Sequence, residues 1–192
     1  MDLIGSSAAR RLQITKYEIK MIKKIISGGQ PGVERAALDA AIKLNIPHKG
    51  WTYKTRRTDE GILPDKYRVK ESEDISFSDR IKKNVLAADA TAILTRGGLT
   101  IGLKIVKDCA EKHNRPYLHV DLNENPLNSA SALIRKWMIN NQLEAIYFTG
   151  SKSIDDIHLN QEVIRIIEGI CRMESEQEQL PGFSEKDDHF QS

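Results

Sequence analysis

Apolar residues along this chain recur in two alternating rhythms. Short runs rich in β-branched residues predict strands at Ile22 to Ser27, Ile46 to Trp51, Ala90 to Thr95, Pro116 to Asp121 and Glu144 to Phe148. The segments between them carry helical stripes. Val33, Ala36, Ala37, Ala40, Ala41 and Leu44 follow the i, i+3, i+4, i+7 spacing that puts apolar side chains on one helix face. Further helices are predicted at Ser78 to Ala88, Thr100 to His113, Asn128 to Asn141 and His158 to Met173, the last turning Leu159, Val163, Ile166, Ile167 and Ile170 inward. Regular strand–helix alternation predicts an α/β fold with a parallel sheet covered on both faces: a three-layer, doubly wound sandwich of five main strands.

The rhythm is absent at both ends and broken once in the middle. Residues 1–20 are polar and weakly patterned and are expected to be a leader outside the fold. Residues 21–173 form the expected ligand-binding domain, and residues 174–192, acidic and nearly stripe-free, are expected to be a disordered tail. Thr52 to Ser76 lacks convincing periodicity over about 25 residues, where connections in such folds take about 2–6. It leaves the carboxyl end of the second strand, where ligands of open α/β sheets bind, so it is expected to be a flap over a ligand crevice.

Composition narrows the partners. The chain has 192 residues, enough for one domain of ordinary size. With 29 Lys+Arg against 27 Asp+Glu the formal net charge is +2, so no global field recruits nucleic acid or an anionic membrane. Cys109 and Cys171 fall on apolar helical stripes without close Cys or His in metal-ligand spacing, and are expected to be core thiols in a reducing compartment. No run is long and apolar enough for a signal peptide or a membrane span, which predicts a cytoplasmic protein. His48, His113, His119 and His158 are scattered and read as structural or surface residues.

The candidate chemistry lies in two glycine-rich turns between a strand and a helix. Ser27-Gly28-Gly29-Gln30-Pro31-Gly32 offers a hydroxyl, an amide and several backbone N–H groups at a helix amino terminus, a combination that binds phosphates and other oxyanions. It lacks the Lys-Ser/Thr of a P-loop and the spacing of a dinucleotide fingerprint. The second turn places Thr95 and Arg96 before Gly97-Gly98, then Thr100 and Gly102. There Arg96 could clamp an oxoanion with its planar fork, and Thr100 stands at an N-cap. Lys54, Arg56 and Arg57 could fold over the same anion from the flap, and Trp51 could stack on a ring. The alternatives are a turn needed only for chain geometry, a capping Thr, solvated basic side chains and a core Trp. If both turns share one switch point, the strand order is 2-1-3-4-5 and the ligand sits between the first and third strands. No Ser-His-Asp set, zinc spacing or close carboxylate pair is found at a strand end.

Three ordered segments carry a family resemblance: S-G-G-Q-P-G-V-E-R-A-A-L-D-A-A, I-P-H-K-G-W-T-Y-K-T-R-R-T-D-E-G-I-L-P and N-V-L-A-A-D-A-T-A-I-L-T-R-G-G-L-T-I-G. Over about Ile25 to Ile170 the chain resembles the molybdenum carrier proteins, a Rossmann-like family related to lysine-decarboxylase-like proteins and cytokinin-activating phosphoribohydrolases. The resemblance implies a Rossmann-like fold, a small anionic ligand at the glycine turns, and association into a homo-oligomer. The cofactor candidates are molybdenum cofactor, a related pterin, or a nucleotide. By position it implicates Ser27, Gly28, Gly29, Gln30 and Gly32, then Lys54, Arg56 and Arg57, then Thr95, Arg96, Gly97, Thr100 and Gly102. Pro31 stands where the family usually has Thr, Glu34 where it has Asp, and Gly150-Ser151-Lys152-Ser153 where it has a Gly-Pro-Arg run. A binding or carrier protein is therefore the first expectation. The alternatives are a nucleotide N-glycosidase or phosphoribohydrolase, with Glu34, Asp59 and Glu60 as candidate carboxylates, and a non-catalytic sensor or scaffold.

Overall fold

A computed structural model of the chain describes residues 21–73, 76–152, 156 and 158–172. The expected leader and acidic tail lie outside the described residues. The main sheet consists of β1 (Lys24–Ile26), β2 (His48–Lys49), β7 (Ala90–Thr95), β8 (Tyr117–Asp121) and β9 (Ala145–Gly150), all parallel. Helices α1 (Val33–Lys43), α2 (Phe77–Ala87), α3 (Ile101–Lys112), α4 (Leu127–Asn140) and α5 (Leu159–Cys171) cover it.

Strand alternation sorts these helices onto two faces. On one side Ile25, Ala92, Leu94, Ile146 and Phe148 pack with the stripes of α1, α4 and α5; on the other Ile26, Ile93 and Tyr147 pack with Ile81 and Val85 of α2 and with Leu103, Val106 and Ala110 of α3. The period of two along β1, β7 and β9 thus builds both cores. Burial of these apolar side chains, about 1.5–3 kcal/mol for each Val, Leu, Ile or Phe and less for each Ala, dominates the stabilisation of the sheet. Among the described residues no helix is long and apolar enough to cross a membrane.

The three-layer parallel sandwich is as expected, but the strand order is not. The sheet runs β2-β1-β9-β7-β8, which in chain order of the five strands is 2-1-5-3-4, not 2-1-3-4-5. The last strand inserts between the first and third, with Ile146 beside both Ile25 and Ala90. Its residues 146–148 are fully buried, as a central strand requires. If the β9–α5 unit stood before β1, the order would read 3-2-1-4-5, the usual order of a dinucleotide-binding sheet. The chain therefore carries that sheet with its first unit moved to the end. The crevice where strand order reverses lies between β9 and β7.

The flap segment is an ordered subdomain. Strand β3 (Trp51–Thr52) pairs in parallel with β6 (Lys70–Glu71), and β4 (Arg57–Thr58) forms a hairpin with β5 (Gly61–Ile62). Leu63, Tyr67 and Val69 pack on Leu38 of α1. Arg56 holds the segment together, donating from Nε to the Leu63 carbonyl at 2.9 Å, from Nη1 to Val69 at 3.1 Å, and from Nη2 to Pro64 and Tyr67 at 2.9 and 3.0 Å. Those bonds maintain left-handed backbone at Thr55 and Arg56, with φ of 62° and 56°, which non-glycine residues adopt only at a cost.

Candidate functional site

A cavity of about 640 Å³ opens at the carboxyl edge of the sheet, at the β9–β7 switch point. Its floor is the end of β9, with Tyr147, Thr149 and Gly150, followed by Ser151 and Lys152. The first glycine turn supplies Gln30, Pro31 and Glu34, and the second supplies Arg96, Thr100 and Gly102. Phe77, Arg80 and Ile81 of α2 and Leu103 and Val106 of α3 form a largely apolar wall, while Tyr53 and Asp59 reach in from the flap. One side is thus suited to a flat apolar ring and the other to hydrogen-bonding groups. This is the usual balance of a small-molecule site.

Buried beside this cavity is a network centred on Glu34. Its Oε2 lies 3.1 Å from Nη1 of Arg80, and both side chains are almost wholly buried. Oε1 accepts the Tyr147 hydroxyl at 2.8 Å and the Thr149 hydroxyl at 3.1 Å, while Oε2 accepts the Gln30 backbone N–H at 3.1 Å. Burial opposes the charge of Arg80, but the Glu34 carboxylate outweighs it and holds the guanidinium charged above its ordinary range. Burial, reinforced by the negative charge of Glu34, raises the Tyr147 phenol well above its ordinary range, so that it stays protonated as a donor. Arg80 also lies over the rings of Tyr53 and Phe77, at 4.9 and 5.7 Å from their centroids. Gly28 makes room for it: a Cβ there would sit 1.9 Å from Nη1 of Arg80.

Of the expected site residues, Gln30, Arg96, Thr100 and Gly102 line the cavity. Ser27 is buried beneath it and donates from Oγ to the Glu34 carbonyl at 2.7 Å, while also accepting the Gly29 N–H at 3.2 Å. Gly29 and Gly32 supply positive φ of 77° and 96° for the turn. Thr100 caps α3, its Oγ1 accepting the Leu103 N–H at 3.3 Å. Thr95 is turned to His119, 2.7 Å from Nε2, and also donates to the Gly97 carbonyl. The Gly97 N–H is bound to Asp121 Oδ1 at 2.9 Å, and Gly98 stands in open space. Lys54 and Arg57 are exposed and do not line the cavity, although the Arg57 carbonyl accepts the Gln30 side-chain N–H at 3.3 Å, and Arg56 is committed to the flap carbonyls. The Trp51 backbone N–H donates to Asn84 Oδ1 and its carbonyl accepts from Asn84 Nδ2, while the Lys70 and Lys83 ammonium groups lie over its ring; Trp51 does not line the cavity.

Arg96 is not a free clamp. Its Nε meets Asp156 Oδ2 at 3.0 Å and its Nη2 meets Glu162 Oε2 at 2.5 Å. The His158 N–H, and then Arg96, hold the Asp156 carboxyl below its ordinary range. At the mouth, Lys152 Nζ lies 2.5 Å from Asp59 Oδ2, joining the β4–β5 hairpin to the segment after β9. Arg80, Tyr53, Phe77, Tyr147, Thr149, Ser151, Lys152 and Asp156 were outside the expected set. A signal for part of them was present: Thr149-Gly150-Ser151 closes a buried strand as Ser27-Gly28 and Thr95-Arg96-Gly97 do. Gly150 is required there because a Cβ would lie 1.8 Å from the Leu94 carbonyl oxygen. Among the described residues no group of three or more His, Cys, Asp or Glu side chains is placed to hold a metal ion.

The family model described as the circularly permutated YpsA SLOG family matches residues 25–171. No curated protein matches the sequence. A solved structure named Putative molybdenum carrier protein, from Syntrophus aciditrophicus SB, is similar with a TM-score of 0.75 and 36% identity, over 79% of this chain and 96% of that one. The family's description accords with the displaced β9–α5 unit, and its span takes in β9, both glycine turns and the cavity. The chain belongs to the circularly permutated YpsA SLOG family.

Proposed function

We propose that this protein binds a small, flat, nucleotide- or pterin-like ligand in the cavity between β9 and β7, as a binding or carrier protein. The observation that carries the reading is the coincidence of the cavity with the switch point, where open α/β sheets bind their ligands. The apolar wall of Phe77, Ile81, Leu103 and Val106 accepts the ring, and Gln30, Thr149 and Ser151 offer hydrogen bonds to its polar edge. The first residues of α3 leave N–H groups free for one anionic group, with Thr100 and Gly102 facing it.

The solved relative's name speaks of a molybdenum carrier; molybdenum cofactor or a related pterin, the candidates the family resemblance implies, would bring that metal in the flat form the cavity suits. Any molybdenum would arrive as cargo on the ligand, because the cavity's carboxylates are paired with cations and no cluster of metal-binding side chains is found among the described residues. Holding is favoured over bond cleavage because the acidic side chains lining the cavity, Glu34, Asp59 and Asp156, are each engaged by a cation. Thermal-shift titration with nucleosides, nucleotides and pterins tests the reading. Stabilisation by at least one of them, lost in Gly102→Leu, is expected, since that side chain would enter the cavity. No stabilisation by any of them, with the fold intact, counts against it.

A further inference from the structure

The cations of the cavity are already matched. Among the described lining residues the basic side chains are Arg80, Arg96 and Lys152, and the acidic ones are Glu34, Asp59 and Asp156. They meet one to one. Arg80 lies 3.1 Å from Glu34, Arg96 lies 3.0 Å from Asp156, and Lys152 lies 2.5 Å from Asp59. Arg96 has Glu162 as a further partner. The first turn is filled in the same way: its Gln30 N–H, two hydroxyls and a guanidinium converge on the Glu34 carboxylate, the arrangement an external oxyanion would otherwise receive.

From this pairing, and resting on the reading of the cavity as a ligand site, we infer that the site selects against polyanions and takes a ligand with no more than one phosphate-sized anionic group. A di- or triphosphate would bring its charge beside Glu34, Asp59 and Asp156 without an unmatched cation to receive it. Taking such charge out of water uncompensated is strongly unfavourable. The amino terminus of α3 supplies about half an elementary charge, enough to favour one anionic group. Discrimination therefore comes from the carboxylates on the cavity wall, which repel the wrong ligand as well as satisfying the cations.

The test is calorimetric titration of the full chain with adenosine, AMP, ADP and ATP, the matching guanine series, and inorganic tripolyphosphate. It is repeated on the double variant Asp156→Asn/Glu162→Gln, which releases Arg96. In the natural chain the nucleoside or monophosphate is expected to bind at least about tenfold tighter than its triphosphate, with no binding of tripolyphosphate. The double variant should gain tripolyphosphate binding and lose about tenfold of its preference against the triphosphate. Tightest binding by ATP or GTP, or tripolyphosphate binding by the natural chain that Gly102→Leu abolishes, overturns the inference and leaves the ligand site standing. Binding of none of the organic ligands overturns the ligand-site reading and the inference with it.

Discussion

At Glu34 one carboxylate accepts from a backbone N–H, two hydroxyls and a guanidinium, all close to the core. Removing it strands a buried cation. Glu34→Ala is therefore expected to cost about 3–5 kcal/mol, and Glu34→Leu/Arg80→Met together much less, because an apolar pair leaves no charge unsatisfied. Urea unfolding measures both; equal losses in the single and double variants would contradict the account. Acid provides a second test at this scale. Asp121 is held below the ordinary carboxylate range by the Gly97 and then the Asn123 backbone N–H groups, and Asp156 by the His158 N–H and Arg96. Depressed carboxylates contribute stability that is present above the unfolded value, about pH 4, and is lost as pH falls through the lower folded values. The midpoint of thermal unfolding should fall as pH drops below about 4, and Asp121→Asn should flatten that limb. An unchanged limb in the variant would remove Asp121 from the account. The ion pairs among these were not legible in the sequence, because Glu34 and Arg80 are 46 positions apart and Arg96 lies 60 and 66 from its partners.

Elements differ in how plainly they are written. Helix α3 announces itself by the Leu103, Val106, Ala110 stripe and the Thr100 cap, and its observed start at Ile101 is one residue from the expected one. Thr100→Ala should cost about 1 kcal/mol through loss of that cap, measured by denaturant unfolding. The flap could not be read in this way. Its order comes from one arginine bonded to four carbonyls, a device that leaves no periodic trace between Thr52 and Ser76. Arg56→Ala should cost roughly 3 kcal/mol and expose residues 54–71 to limited proteolysis while the sheet stays folded. Proteolysis rates equal to those of the natural chain would show that the hairpin and its Leu38 contact suffice.

For the whole molecule, local patterns reported the layers and left the strand neighbours undetermined. The five strands and their burial followed from β-branched runs, but which strands pair is set by contacts far apart in sequence, such as Ile25 with Ile146. The displaced β9 consequently moved the crevice from between the first and third strands to between β9 and β7, and brought Tyr147, Thr149 and Ser151 into it. Two of the expected anion-binding elements then took other tasks: the first turn surrounds Glu34, and the flap cations lie outside the cavity or hold the flap itself. Residues of both glycine turns, Gln30 and Pro31 from the first and Arg96, Thr100 and Gly102 from the second, line the cavity. The central claim is that this cavity holds a small flat ligand. It is tested most directly by mass spectrometry of small molecules retained by gently purified full-length protein, compared with Gly102→Leu. A nucleotide- or pterin-like molecule retained by the natural chain and absent from the variant is the predicted result; an identical profile from both proteins would contradict it.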